Sequence, residues 1–233
     1  MRHRFYLGMT VFVLVGLTIA WLRAQATVPQ TFMSLPLLFS EDFESGKAEQ
    51  WETTDPQAWQ VIKQGENHVF NLFKQSNYKT PVRSPFNRAM RKGVVVSDFV
   101  LEARVQSTAR DYGHRDLCVF FGYQDPSHFY YVHLGKQADP RAHSIFLVNN
   151  ADRVSIAKTR TSGTPWDDRW HTIRVVRKVS TGAVEVYFDD MTKPIMTAED
   201  QTFSWGQVGI GSFDDTGNFD DVRLWGVKVE PKK

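Results

Sequence analysis

The 233-residue sequence holds a single cysteine, Cys118. An intramolecular disulfide is excluded, so stability has to come from packing or from a bound ion. Outside residues 1–26 no long window repeats apolar residues at i, i+3, i+4 and i+7, which excludes a helical bundle and a coiled coil. No internal repeat and no low-complexity tract is present. With 42% hydrophobic, 13% aromatic and 23% charged residues, the chain is neither disordered nor collagen-like. Excess charge of one sign is lacking as well, because 28 Lys and Arg face 26 Asp and Glu. The densest basic stretch, Arg88-Ala89-Met90-Arg91-Lys92, is too short for a nucleic-acid-binding stripe, so no nucleic-acid partner is expected. There is no Gly-x-Ser-x-Gly elbow. Gly206, Gly209 and Gly211 lie in a β-like run with no helix to follow, which excludes a phosphate-cradling loop. Cys118 itself sits in the apolar run Leu117 to Phe121 and reads as a small buried hydrophobe.

What is present begins with an export signal. Arg2-His3-Arg4 is a positive n-region, Phe5 to Leu22 an apolar run of 18 residues, and Ala24-Gln25-Ala26 a small-x-small cleavage site. Residues 1–26 are expected to be a signal peptide. The rival reading is an uncleaved membrane anchor, since the run is just long enough to span a bilayer. In both cases the remainder lies outside the cytoplasm: periplasmic, extracellular or on the cell surface. Membrane contact is expected only through an uncleaved leader, and the domain reads as a monomer. Arg2, Arg4 and Arg23 belong to the leader; without them 25 bases face 26 acids, a net −1.

Residues 27–36 carry two prolines and no clear period and read as a linker; residues 230–233 read as a tail. Residues 37–229 read as one all-β domain. Runs of 5–10 strand-like residues alternate with turn clusters such as Asp125-Pro126, Asn149-Asn150 and Ser180-Thr181-Gly182. Predicted strands are Trp59–Lys63, His68–Phe73, Phe99–Gln106, Leu117–Tyr123, Phe129–Leu134, Ser144–Val148, His171–Arg177, Ala183–Phe188, Gln207–Phe213 and Val222–Val229. Gln75 to Met90 holds Asn77, Pro81, Pro85 and Asn87 and reads as a long connection. In Trp170 to Arg177, His171, Ile173 and Val175 share one face and Thr172 and Arg174 the other. That is a sheet with one side on a core and one toward water.

Several segments are familiar in this order. Glu41-Asp42-Phe43-Glu44-Ser45-Gly46 opens the domain. Phe121-Gly122-Tyr123-Gln124-Asp125 and His128-Phe129-Tyr130-Tyr131-Val132 follow, then Trp170-His171-Thr172-Ile173-Arg174-Val175. Val184-Glu185-Val186-Tyr187-Phe188-Asp189, Gly206-Gln207-Val208-Gly209-Ile210-Gly211 and Phe219-Asp220-Asp221-Val222 close it. The order resembles exported bacterial domains of the concanavalin A-like lectin/glucanase superfamily, nearest to laminin G-like and 3-keto-disaccharide hydrolase domains. The resemblance implies a jelly-roll sandwich of two antiparallel sheets, one of them curved with its concave face exposed. The Glu-x-Asp-x-x-Glu strand of the family 16 glucanases is absent. So are the Asn-Ser-Gly-rich strand and the Glu-x-Gln segment of the keto-disaccharide hydrolases.

Three chemistries compete for the polar residues. Sugar recognition combines aromatic faces with hydrogen-bonding side chains; Tyr130, Tyr131, His133, His143, Asn149, Arg153 and Trp166 supply that mixture on consecutive runs. Glycoside or keto-glycoside cleavage on the same face would use Asp116 or His133 as acid or base, with Arg153 orienting substrate. His128, His133 and His143 fall within 16 residues, and two of them with Asp116 could ligate a transition metal. No His-x-His or His-x-x-x-His spacing supports that reading. In many domains of this superfold the first and last strands pair and hold an ion. A structural calcium on Asp42, Glu44, the Gly46 carbonyl, Asp220 and Asp221 follows from the resemblance; no other cofactor is required. The leading expectation is an exported lectin-like module that binds a glycan on the concave sheet. The alternatives are a hydrolase or lyase on that face and a laminin G-like adhesion module.

Overall fold

A computed structural model describes residues 27–231. The leader lies outside the described residues. Among the described residues, seventeen strands and one 3-10 turn at Pro56–Ala58 make up the regular structure. The strands are β1 (Thr31–Phe32), β2 (Leu35–Glu41), β3 (Trp51–Thr53), β4 (Trp59–Gln64), β5 (Asn67–Leu72), β6 (Asn87–Arg91), β7 (Val96–Ser107), β8 (Cys118–Asp125) and β9 (His128–His133). They continue with β10 (Ser144–Asn149), β11 (Val154–Ser155), β12 (Ala157–Arg160), β13 (His171–Lys178), β14 (Ala183–Phe188), β15 (Met196–Glu199), β16 (Gln207–Ser212) and β17 (Gly217–Lys228). All ten predicted strands are present. The short β1, β3, β11, β12 and β15, the edge-paired β2, and β6 were not among them. No helix among the described residues is long and apolar enough to cross a membrane.

The strands form two antiparallel sheets, the sandwich expected from the sequence. The larger runs β1-β2-β17-β7-β13-β14-β15-β12, with the β4–β5 hairpin joined to the start of β17. The smaller runs β11-β10-β9-β8-β16-β6-β3. The first long strand, β2, pairs with the last, β17, as anticipated, Phe39 opposite Leu224 and Glu41 opposite Val222. Residues 27–36 are not a free linker. Thr31 and Phe32 pair with Pro36 and Leu35, and the buried Trp225 ring donates from Nε1 to the Pro29 carbonyl at 2.8 Å. A buried indole N–H needs an acceptor, and this segment supplies it.

The two sheets differ in what they bury. β13 alternates buried and half-buried positions along its length. Its inward residues Ile173 and Val175 join Leu101, Ala103 and Val105 of β7 in the central core. Its outward residues are Thr172, Arg174, Val176 and Lys178, and Arg174 meets Glu102 directly across the strand pair at 2.6 Å. β8 and β9 instead carry near-continuous apolar runs. Val119, Phe121, Tyr130 and Val132 face the central core, while Cys118, Phe120, Phe129 and Tyr131 form a second cluster on the opposite face with Met90, Phe146 and Val148. A sheet apolar on both faces must be covered on both.

The cover is the connection Phe73 to Phe86. Ser76 is anchored to β6 through its N–H to Asn87 Oδ1 at 2.7 Å, and Val82 packs on the second cluster. At the far side the Arg83 N–H donates to Asp152 Oδ1 at 2.9 Å, beyond β10. The outer face of the smaller sheet is therefore roofed across its middle, where an open concave face was expected.

Candidate functional site

Two features lie on that outer face: a cleft left open beside the roof, and an enclosed polar cluster. The cleft measures about 280 Å³. Glu52, Thr53 and Thr54 line it from β3 and its end, Arg88 and Met90 from β6, Tyr123 and Pro126 from β8 and its turn, Gln207 from β16, and Tyr78 from the roof. Tyr123 reaches the outer face because the β8–β9 pairing shifts between Phe121 and Asp125. Gly122 absorbs the bulge at φ 57°, a conformation glycine adopts without steric cost. Arg88 is buried; its guanidinium lies over Tyr78 at 4.9 Å and over Phe129 at 5.4 Å, and its Nη1 donates to the Pro85 carbonyl at 2.9 Å. That stacking holds Tyr78 against the sheet, so the roof contributes a fixed ring to the cleft wall. Tyr78 and Tyr123 are both half-buried, and Glu52 is exposed. Burial pushes the Tyr123 phenol up, which keeps it a neutral hydrogen-bonding group.

The enclosed cluster holds both residues proposed from sequence as acid or base. Asp116 is fully buried; its Oδ2 accepts from the Phe213 N–H at 2.8 Å and from the Cys118 thiol at 3.3 Å. His133 Nε2 lies 3.4 Å from the same oxygen. The imidazole is stacked on Phe213 with ring centres 5.8 Å apart. Arg153 covers the other components, with its guanidinium 4.2 Å from the Phe213 ring and its Nη1 donating to the Tyr131 hydroxyl at 2.7 Å. At the edge, Asp215 accepts from the Asp116 N–H at 2.8 Å and from the Tyr112 hydroxyl at 2.9 Å. Partial burial and the Asp116 charge together raise Asp215 to about 6.

The residues expected to bind sugar separate. Tyr131, His133 and Arg153 do come together, with Asp116, but outside the cleft lining: Tyr131, His133 and Asp116 are buried and Arg153 is half-buried over them. Tyr130 faces the core between the sheets, stacked on Phe121 at 5.0 Å with its hydroxyl given to Asp200. Alternation along β9 requires this, because its neighbours Phe129 and Tyr131 take the other face. Trp166 is also a core residue. It packs edge-on to Phe188 at 5.0 Å, and its Nε1 donates to the Leu134 carbonyl at 2.5 Å. His143 is fully buried, with its ring nitrogens 3.0 Å from the Thr164 hydroxyl and 2.9 Å from the Thr161 hydroxyl. Asn149 is exposed at the end of β10, opposite His128.

Among the described residues, Asp42, Glu44, Asp220 and Asp221 are not one of the groups whose ligand atoms converge within 4.8 Å. Asp42 is exposed, and Glu44 is held by the His68 N–H at 2.9 Å. Asp220 accepts from Asn67 Nδ2 at 3.0 Å and lies 3.6 Å from Arg104. Asp221 pairs with Arg223 at 2.8 Å. Cleft residues Tyr78 and Arg88 fell in the stretch read as a connection, and Tyr123 is set on its face by a bulge. The signal that could have exposed them is the unbroken apolar character of β8 and β9, which demands an outer cover.

No family model and no curated relative matches the chain. Several solved structures match its fold. The carbohydrate-binding module CBM66 from Bacillus subtilis is similar at 19% identity and TM-score 0.54, over 76% of this chain and 96% of that one. Domain 4 of AbnA, a GH43 extracellular arabinanase from Geobacillus stearothermophilus solved with arabinotriose, is similar at 11% identity and TM-score 0.54, over 84% and 94% of the chains. Winged bean acidic lectin complexed with methyl-α-D-galactose is similar at 12% identity and TM-score 0.55, over 82% and 99%. At these identities the likeness is one of architecture: this chain shares the two-sheet antiparallel sandwich fold of those structures.

Proposed function

We propose that the protein is an exported carbohydrate-binding module that holds a glycan in the cleft lined by Tyr78 and Tyr123. The observation that carries the reading is the cleft's composition. Two half-buried tyrosines stand among Glu52, Thr53, Arg88 and Gln207 in about 280 Å³, enough for one or two sugar rings. Sugar rings present apolar faces to aromatic planes and hydroxyls to carboxylate, amide and guanidinium groups. The shared architecture with a carbohydrate-binding module and a lectin supports the same reading. The basic, apolar and small-residue regions of residues 1–26 support an export reading, in which this binding takes place outside the cytoplasm. Binding without turnover is favoured because Asp116 and His133 are not among the residues lining the cleft.

The full chain, purified in mild detergent, is mixed with insoluble cellulose, chitin, xylan and arabinan, and both retained protein and released sugar are recorded. Retention without release is expected on at least one of them. Tyr78→Ala and Tyr123→Ala should each weaken retention about tenfold, the loss of one aromatic contact of roughly 1–1.5 kcal/mol. Sugar release would make the protein an enzyme. Retention unaffected by either variant would move the site elsewhere.

A further inference from the structure

We propose that Asp116, Cys118 and His133 form a binding site for a thiophilic divalent metal ion of the zinc type, enclosed on the outer face of the smaller sheet. The placement begins with register. Cys118 of β8 and His133 of β9 are direct cross-strand partners, and Asp116 precedes Cys118 by two residues. Direct partners on one face bring their Cβ atoms to about 5 Å, and a two-residue step keeps a side chain on that face. One ligand atom from each of the three residues lies within 4.8 Å of the others. The shortest separations are 3.3 Å from Cys118 Sγ to Asp116 Oδ2 and 3.4 Å from His133 Nε2 to the same oxygen. Bonds of about 2.0–2.3 Å to a tetrahedral ion place its ligands roughly 3.3–3.7 Å apart, so these spacings are those of coordination edges.

A second observation is independent of the spacing. Asp116 Oδ1 and both His133 ring nitrogens are buried without a hydrogen-bond partner, and the two residues are 0% and 4% exposed. A buried polar group left unpaired costs about 1–3 kcal/mol, and one such group in a core calls for an explanation. Three on two touching side chains, beside the only cysteine, are what a ligand set looks like. Imidazole, thiolate and carboxylate together suit a borderline-soft ion better than calcium or magnesium. Asp116 belongs also to a second group with Asp214 and Asp215, which puts an exposed carboxylate beside the cluster as a route from solvent and a further oxygen. Binding would replace the thiol–carboxylate hydrogen bond by a metal–thiolate bond, and the thiol proton would leave to solvent. Two anionic ligands and a dication leave the enclosed site neutral.

The test is titration of the chelator-treated full chain with Co²⁺ as a spectroscopic substitute. A thiolate-to-cobalt charge-transfer band in the near ultraviolet, saturating at one equivalent, is expected. Cys118 is the only cysteine, so such a band has one possible source. Zn²⁺ should abolish the band by displacement, and Zn²⁺ added to the metal-free chain should release protons as it binds. Cys118→Ser should remove the band, and His133→Gln should weaken cobalt binding more than about tenfold. Asp116→Asn is avoided because it disturbs the acceptor of the Phe213 N–H. If either variant does not fold, the wild-type spectrum decides. Absence of the band at stoichiometric cobalt, or its persistence in Cys118→Ser, overturns the assignment.

Discussion

His143 should make the fold sensitive to acid. Its ring is fully buried between the Thr161 and Thr164 hydroxyls. Burial first, then the charges of Arg160 and His133, hold its pKa down to about 4 against an ordinary 6.5. The sign follows from linkage. Between pH 6.5 and 4 the unfolded chain takes up a proton that the fold refuses, so stability is intact above 6.5 and is lost as the pH falls. With these two values the loss is about 2 kcal/mol at pH 5 and about 3 kcal/mol at pH 4 relative to pH 7. The perturbation is His143→Asn. Position 143 has φ 51°, which asparagine tolerates better than most residues. Shortening the side chain forfeits the threonine contacts and lowers stability by a constant amount, so the readout is the pH slope. Urea unfolding at pH 7, 5 and 4 gives that slope for each protein. Carboxylates with lowered pKa, such as Asp167 at about 2, act equally on both and cancel in the difference. The variant should lose about 2 kcal/mol less than wild type between pH 7 and 5. Parallel slopes would refute the assignment of His143 as a buried neutral group.

Asp215 works in the opposite direction. Its pKa of about 6 in the fold exceeds the ordinary 3.8, so stability is fullest below 3.8 and declines as the pH rises through 6. The full shift corresponds to about 3 kcal/mol, reduced to the order of 1–2 kcal/mol by partial solvation. Asp215→Asn should therefore fall more steeply than wild type on acidification in the same urea series, and an unchanged slope would refute the shift. Gly206→Ala tests close packing: an added Cβ would sit 2.1 Å from the Gly122 carbonyl carbon and 2.3 Å from the Tyr123 nitrogen. Backbone on both sides leaves nowhere to move, so a loss of about 3 kcal/mol is expected. That corresponds to roughly 6–12 °C in melting temperature. Because Tyr123 would be displaced, glycan retention should drop as well; a melting point unchanged to within about a degree would refute the crowding.

The strand pattern, the sandwich class and the polarity of β13 are legible in the sequence because they depend on local period. A strand exposed on one face alternates, and His171 to Lys178 does so without exception. The pairing of the first long strand with the last followed from the resemblance. What could not be read was which face each aromatic takes once pairing is irregular. A single bulge at Gly122 puts Tyr123 in the cleft, while unbroken alternation along β9 turns Tyr130 into the core. Nor could the sequence say that residues 74–86, read as a connection, would lie across the smaller sheet, supply Tyr78 to the cleft and cover the second apolar cluster, or that Phe213 would close over Asp116 and His133. Short-range pattern encodes the strands. Enclosure is a property of segments far apart in the chain: Asp116 meets Phe213, and Arg83 meets Asp152. Such meetings are decided by which apolar faces still need covering after the sheets have formed, and only the tertiary structure settles that.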